Sequence, residues 1–504
     1  MVPMEIEFKF QVPAERLEAV EAAMLGASST RTHLQARYYD TEGGDLAAHG
    51  VVLRLRKEGR NWVQTAKAAG EGPLHRLEHN VDLGPARKSQ PLAALPARHA
   101  GTPVGERLAR ALGAQPAPLV EVYATDIWRI ARHEQFADST VELALDQGRV
   151  LAPSADGSGE RSAQVCELEL ELVDGNVDDL ATLARLWAER HGLWFSTVSK
   201  SERGMRLALG QSTRPAVKAS APRLDENGGF PDGPTLQRAV VAACLAQILP
   251  NASEIAAGSL DAAQIHQARV GLRRLRTALR ELQPLGAGLD EAWLPALVRT
   301  FRALGATRDR QQLVDKMQPR LVAAGGPVLT LPEDTTPQAS PGEAVRASDF
   351  QAALVGLIGF AATPRAAPGA SPKQTRRILR TRLSKLHAQL LRDGHAFEAL
   401  PPDAQHRARK RLKRLRYLAE FVGAAFGDRR AARYTDALSP VQDVLGAYYD
   451  EVVAQEAYRA AADREPRAWF AVGWLLARQS AHARECGEAL KSIAEARKFW
   501  NKKK

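Results

Sequence analysis

A chain of 504 residues exceeds what one hydrophobic core organises, so two or three domains are expected. Three scattered cysteines (Cys166, Cys244, Cys486) exclude a disulfide framework or a cysteine-based metal cluster, and a formal net charge of +11 favours an anionic partner. The charge is uneven: residues 1–215 hold 25 Lys/Arg and 29 Asp/Glu, a net of −4, whereas residues 216–504 hold 44 and 29, a net of +15. The second part is therefore an electrostatic trap for an anion, and the first is not.

The chain opens with Met4, Ile6, Phe8 and Phe10 alternating with Glu5, Glu7 and Lys9. That is a strand with one apolar and one charged face, and its charges stand where a signal peptide needs an apolar run. No run approaches the roughly 18 apolar residues of a membrane span, so a cytoplasmic protein without membrane contact is the expectation. After a helix near 15–25, short alternating segments follow at 35–40, 51–57, 61–66, 76–83, 123–130, 141–146 and 166–173. Their second faces carry Arg54 and Arg56, then Thr65 and Lys67, then Arg76, Glu78, Asn80 and Asp82. Further on come Thr125 and Arg129, Glu142 and Asp146, and finally Glu167, Glu169 and Glu171. A single antiparallel strand can turn such a face to water. A whole set charged on one face predicts closure into a barrel whose lumen holds both signs of charge, tolerable where the charges pair or hold a ligand. Carboxylates there can bind hard divalent ions, and Arg and Lys clamp phosphate oxygens, which together suit phosphoryl transfer. No GxxxxGK[ST] loop is present, so a P-loop ATPase is not supported.

Glu5-Ile-Glu7-Phe-Lys9 resembles the ExExK signature of the CYTH family, the triphosphate tunnel metalloenzymes. Arg54-Leu-Arg56, Lys67, Arg76-x-Glu78, Thr125-x-x-x-Arg129, Glu142-x-x-x-Asp146, Glu167-x-Glu169-x-Glu171 and Ser199-Lys200 follow in family order across residues 1–210. The resemblance implies an eight-stranded antiparallel tunnel with flanking helices that binds a triphosphate together with Mg²⁺ or Mn²⁺. It assigns Glu5, Glu7, Glu167, Glu169 and Glu171 to metal. Arg54, Arg56, Lys67, Arg76, Arg129 and Lys200, with Lys9, go to phosphate. Glu78, Glu142 and Asp146 orient those cations or the attacking water, and with Lys9 form the catalytic group. Two departures are Asn80, where relatives commonly carry another acid, and Ala66, where a bulkier residue is usual.

Residues 211–233, rich in Pro, Gly and Ser, read as a linker. Beyond it the periodicity is helical: 236–249, 264–282, 289–304, 344–362, 373–392, 403–426, 434–449, 451–462 and 466–499. His266-Gln-Ala-Arg269-Val-Gly-Leu-Arg273-Arg274-Leu-Arg276 returns 140 residues later as His406-Arg-Ala-Arg409-Lys410-Arg-Leu-Lys413-Arg414-Leu-Arg416. A His with basic residues at +3, +7, +8 and +10 in both copies marks an internal duplication. At 100° per residue Arg269, Arg273, Arg276 and Arg280 share a stripe about 60° wide, with Leu272, Leu275, Leu279 and Leu282 on another. Such a run of like charge without interleaved acid suits a polyanion lying across it.

These two segments, with Gln442-Asp443-Val-Leu-Gly446 and Arg308-Asp309, resemble the CHAD domain over residues 234–504; Gln311 departs from its pattern. The resemblance implies an all-α pair of helical bundles, repeats about 234–325 and 344–504, related by a pseudo-twofold around a basic pore for inorganic polyphosphate. His266, Arg269, Arg273, Arg274, Arg276, Arg376, Arg380, His406, Arg409, Lys410, Lys413, Arg414 and Arg416 would form that site. The two histidines suit local hydrogen bonding better than catalysis. The basic helices carry few aromatics, which disfavours single-stranded nucleic acid. Together these readings give a tripolyphosphate-hydrolysing tunnel attached to a polyphosphate-holding helical domain. The alternative is a polyphosphate-granule protein with a weak or silent tunnel. ATP cyclisation and thiamine triphosphate hydrolysis have no base- or thiazole-reading residue in their favour.

Overall fold

The computed structural model describes residues 4–26, 28–70, 75–85, 92–114, 116–154, 159–224, 229–305, 316–329, 339–363 and 368–501; the side chains of Met4, Glu5, Ala69, His75 and Arg76 lie outside this description. Among the described residues one sheet has nine strands: β1 (Met4–Gln11), β2 (Thr30–Thr41), β3 (Val51–Glu58), β4 (Asn61–Ala69), β5 (His75–Pro85), β6 (Leu119–Phe136), β7 (Ser139–Pro153), β8 (Glu160–Asp174) and β9 (Trp194–Phe195). Their order is β5-β4-β3-β2-β6-β7-β8-β1-β9, antiparallel throughout. β1 also pairs with β5, Glu5 opposite Arg76, so eight strands close on themselves and β9 is a two-residue addition to β1. The closed antiparallel tunnel is thus present. β6, β7 and β8 extend well past the expected segments.

The barrel turns its apolar residues outward. Phe8 and Phe10 are fully buried, each edge-on to Phe195 at 6.1 Å, and Leu143, Leu145, Leu168 and Leu170 are buried on the same outer face. Burying a Phe of this kind contributes roughly 2–3 kcal/mol. Ala66 belongs here too. It points away from the lumen into a cluster with Val104 and Leu108 of the helix Pro103–Leu112, and the close helix explains why it is small. The helix Lys200–Ala208 is N-capped by Ser199, which accepts from the Glu202 amide at 3.0 Å. Its Met205, Leu207 and Ala208 pack against Tyr38, Tyr123, Ile127 and Val150, so the charged lumen gives way to an apolar plug. The plug is tight at Gly204, where an added Cβ would lie 2.1 Å from the Tyr123 ring.

Two compact units emerge. The first joins Met1–Lys218 to Leu245–Ala268 and Pro341–Pro364; the second comprises Ala219–Cys244, Arg269–Ser340 and Arg365–Lys504. Hydrogen bonds tie the later segments of the first unit to its sheet end. The Phe195 amide donates to Gln351 (2.8 Å), Arg206 donates to Glu254 (2.5 Å), and Asn251 both donates to and accepts from the backbone of Val217.

The second unit is helical, with Trp293–Ala303, Pro372–Ala396, Pro402–Phe426, Asp428–Ala461 and Ala468–Ser492 among its elements. The expected helices 434–449 and 451–462 are one continuous helix that accommodates Pro440. The expectation that no run is long and apolar enough to cross a membrane is also corrected: by length and composition Gly233–Ala256 is, and 78% of its most apolar stretch is buried in the protein. A buried core helix needs no polar face, and the sequence cannot distinguish it from a span. The helices that carry the two copies exchange ion pairs. Arg274, at offset +8 of the first copy, pairs with Glu420 of the second copy's helix. Arg414, at offset +8 of the second, donates through Nε to Glu281 of the first at 2.8 Å. Arg308, Asp309 and Gln311 lie outside the described residues.

Candidate functional site

Residues opposite one another on antiparallel strands share a face, so register fixes which charges meet in the lumen. Three rows cross β7, β8 and β1: Glu142–Glu171–Glu7, Ala144–Glu169–Lys9, and Asp146–Glu167–Gln11. On the facing wall, Val52–Lys67–Glu78 and Arg54–Thr65–Asn80 cross β3, β4 and β5.

At the centre lies an ion-pair network. Arg129 donates to both oxygens of Asp146 at 2.7 Å and to Glu169 at 2.6 Å. Lys200, the first residue of the plugging helix, lies 2.6 Å from Asp146 and 2.8 Å from Glu169, and also pairs with Glu167. Burial opposes ionisation of Asp146 and Glu169, but Lys200 and Arg129 outweigh it and hold both below the usual carboxylate range. Reciprocally, the acids hold Arg129 and Lys200 well above their usual values. Asp146, Glu167 and Glu169 each bring an oxygen within 4.8 Å of the others, an all-oxygen donor set of the kind hard divalent ions use. The sequence assigned Asp146 to orientation and the other two to metal; the fold puts the three in one cluster.

The second acidic row behaves differently. Burial and the neighbouring Glu7 push Glu171 up to about 7, with Glu142 adding to the shift against the pull of Lys67. His133 approaches Glu142 at 3.3 Å. Glu142, Glu171 and Glu7 in one row form an all-oxygen donor set of the kind a divalent ion would suit.

Lys9 is buried, donates to the Val198 carbonyl at 2.6 Å, and is lowered below the usual lysine value chiefly by burial. Lys67 pairs with Glu78, and Arg56 with Glu58. The Nε groups of Arg54 and Arg56 are buried with no acceptor among the described residues. Buried guanidinium donors of this kind can take an anion. The backbones of Glu5 and Arg76 are paired across the closing seam; their side chains lie outside the description. The sequence reading did not single out Gln11, which donates to Glu167 at 3.3 Å, or Tyr38, whose hydroxyl lies 3.5 Å from Arg54 Nη1. One more step of the β1 alternation after Lys9 would have found Gln11.

The basic helical residues divide into two groups. Arg269, Arg273 and Arg276 hold their guanidinium groups 5.2, 5.8 and 5.5 Å from the Phe301 ring centre. Arg409 lies 4.7 Å over Tyr449, on which His406 also stacks at 4.5 Å. Burial, with Arg409 and Arg273, lowers Lys413 to about 7. Lys410 and His266 are exposed. Arg409, Arg273 and Arg269 all act on Lys413, and Asp450 acts on it with the opposite sign. The other group is committed within the protein. Arg274 is 3% exposed, paired with Glu420 and laid over Tyr417 and Phe421. Arg414 is held by Glu281, Arg416 by Glu420 and Gln442, and Arg380 by the Trp500 carbonyl. Arg376 faces Phe230 and Phe426. The basic helices carry few aromatics of their own, and Phe301 and Tyr449 bring rings to these cations from other helices.

A closed antiparallel tunnel with cations and carboxylates in its lumen, followed by duplicated basic helices, defines a two-domain class of protein. The sequence matches the CYTH domain over residues 3–205 and the CHAD domain over residues 239–459, and the chain is a CYTH domain followed by a CHAD domain. It is 27% identical over 531 residues to an uncharacterised protein of Mycobacterium tuberculosis (strain H37Rv), covering 97% of this chain and 95% of that one. It is 30% identical over 179 residues to the inorganic triphosphatase of Haemophilus influenzae, covering 34% of this chain and 46% of that protein. Among solved structures it is similar to the CHAD domain of Ricinus communis, with 23% identity, a TM-score of 0.42, and coverage of 56% of this chain and 98% of that one.

Proposed function

We propose that this chain is a metal-dependent inorganic triphosphatase of the cytoplasm. A tunnel domain (1–210) hydrolyses tripolyphosphate, and a helical domain (234–504), joined by the linker 211–233, binds inorganic polyphosphate. One observation carries the reading: the buried Nε groups of Arg54 and Arg56, with no acceptor among the described residues, share a lumen with the carboxylate cluster Asp146, Glu167 and Glu169. The triphosphatase named among the relatives supports it over the aligned part.

The donor set fits Mg²⁺ or Mn²⁺, with Glu167, Glu169 and Asp146, and with Glu7, Glu171 and Glu5, as the residues that would hold it. Such an ion, when bound, supplies neutralisation of phosphate charge and polarisation of phosphate oxygens. Lys9, Arg54, Arg56, Lys67, Arg76, Arg129 and Lys200 bind the chain and offset charge on the departing diphosphate. Water adds to the terminal phosphorus as the bridging P–O bond to diphosphate breaks. The water's proton leaves to the diphosphate or to solvent, giving orthophosphate and diphosphate. Glu78 and Glu142 orient the cations. Arg269, Arg273, Arg276, Arg409, Lys410 and Lys413 form the polyphosphate contact.

The test is phosphate release from tripolyphosphate with Mg²⁺. Lys9→Ala and Arg54→Ala should each reduce it by about a hundredfold or more, and wild type without release would overturn the triphosphatase reading. The alternative, a polyphosphate-holding protein with a silent tunnel, is favoured by Lys200 and Arg129 already neutralising the carboxylate cluster. That same inactive outcome, together with polyphosphate binding lost in Arg273→Ala/Lys413→Ala, would establish it.

A further inference from the structure

Asn80 is a neutral residue among charges on the lumen face of β5. Its amide is held at both ends. The Thr65 hydroxyl, on a side chain 1% exposed, donates to Oδ1 at 2.6 Å, and Nδ2 donates to Glu78 at 2.8 Å. The carboxylate dictates this orientation, since a flipped amide would set two acceptors against each other. Glu78 in turn pairs with Lys67, and its charge also acts on Arg54, which stands in the same register row as Thr65 and Asn80. An aspartate would have the same shape but would place a second carboxylate in contact with the first. It would offset Lys67, the partner of Glu78, or Arg54 in its own register row, both assigned to phosphate.

We infer that Asn80 is a positioning residue that also sets charge specificity. It is a neutral brace that fixes Glu78 on Lys67 and adds no second carboxylate beside Arg54, so that the tunnel takes a fully ionised triphosphate with less help from divalent ions than a carboxylate at 80 would require. The inference rests on the triphosphatase reading and deepens it.

The experiment titrates tripolyphosphate into the full-length protein by calorimetry, first in EDTA and then at saturating Mg²⁺, alongside steady-state kinetics. Asn80→Asp should weaken binding in EDTA by about tenfold, and the gap should close in Mg²⁺. Thr65→Val removes the other end of the brace without adding charge, so it should lower kcat by roughly two- to fivefold with binding in EDTA within about twofold of wild type. A purely structural role would lower the melting temperature and shift every parameter together, without this split. Asn80 is exposed and aspartate is isosteric with it, so the variant retains the fold, and Thr65→Val tests the brace independently. Equal binding of Asn80→Asp and wild type in EDTA, or a gap that persists in Mg²⁺, overturns the role of Asn80 alone. A wild type that neither binds nor hydrolyses tripolyphosphate overturns the triphosphatase reading and this inference with it.

Discussion

Replacing Lys200 with methionine removes one ammonium group from among three carboxylates while keeping most of the side-chain volume. Its side chain is 14% exposed, and the carboxylates it serves on Asp146 and Glu167 are 1% and 0% exposed. Arg129 then remains as the partner of Asp146 and Glu169 alone. Removing one member of a buried ion network leaves uncompensated charge and costs about 3–5 kcal/mol. At the lower figure the melting temperature of a unit of this size falls by roughly 6–12 °C. A divalent ion held by the freed carboxylates should restore about 2.7 kcal/mol at a hundred times its Kd. Differential scanning fluorimetry of Lys200→Met at pH 7.5, in EDTA and with increasing Mg²⁺ or Mn²⁺, reads both effects. The sign with pH also follows. Asp146 and Glu169 are held below their unfolded values, so their contribution is present above about pH 4–5 and lost as the pH falls further. Lys200→Met should therefore differ from wild type most near neutrality. A variant melting within about 2 °C of wild type in EDTA, or one that divalent ions leave unmoved, would refute the reasoning.

Three further outcomes are expected. Gly204→Ala sets a Cβ against the Tyr123 ring and should cost about 1–3 kcal/mol as the plugging helix is displaced; an unchanged melting temperature would show that the plug is not tightly packed. His387 is buried beside the Tyr434 hydroxyl at 2.9 Å, and burial lowers it to about 4. Its neutral form is favoured by folding, so stability is fully present above about pH 6.5 and falls by up to about 2–3 kcal/mol toward pH 4. Urea denaturation at several pH values, compared with His387→Gln, should show a flatter profile in the variant. Lys413 sits near 7 because of burial and its cationic neighbours, and an anion would raise it. Polyphosphate binding at pH 8 should then take up a proton, seen as a binding enthalpy that depends on buffer ionisation and loses that dependence in Lys413→Met.

The alternation of Ile6, Phe8 and Phe10 with Glu7 and Lys9 was enough to place the β1 charges on one face, because side-chain direction in a strand follows from local geometry. The same locality made the two basic helices legible. It even separated Arg274, which lies 140° around the helix from Arg269 and outside the arginine stripe, although the offset pattern grouped them together. Ala66 showed the reverse: as a departure from a motif it was unexplained until the helix Pro103–Leu112 was seen to pack on its side of the sheet.

Chain order and periodicity determined the tunnel, the duplication and the identity of the charges, since each depends on neighbours a few residues apart. Only the tertiary structure decided the partners. Asp146 meets Lys200 across 54 positions, Arg274 meets Glu420 across 146, and Phe301 and Tyr449 bring rings to cations on other helices. Register and closure set those encounters, and they arise from the packing of the whole chain, to which no short window of sequence has access.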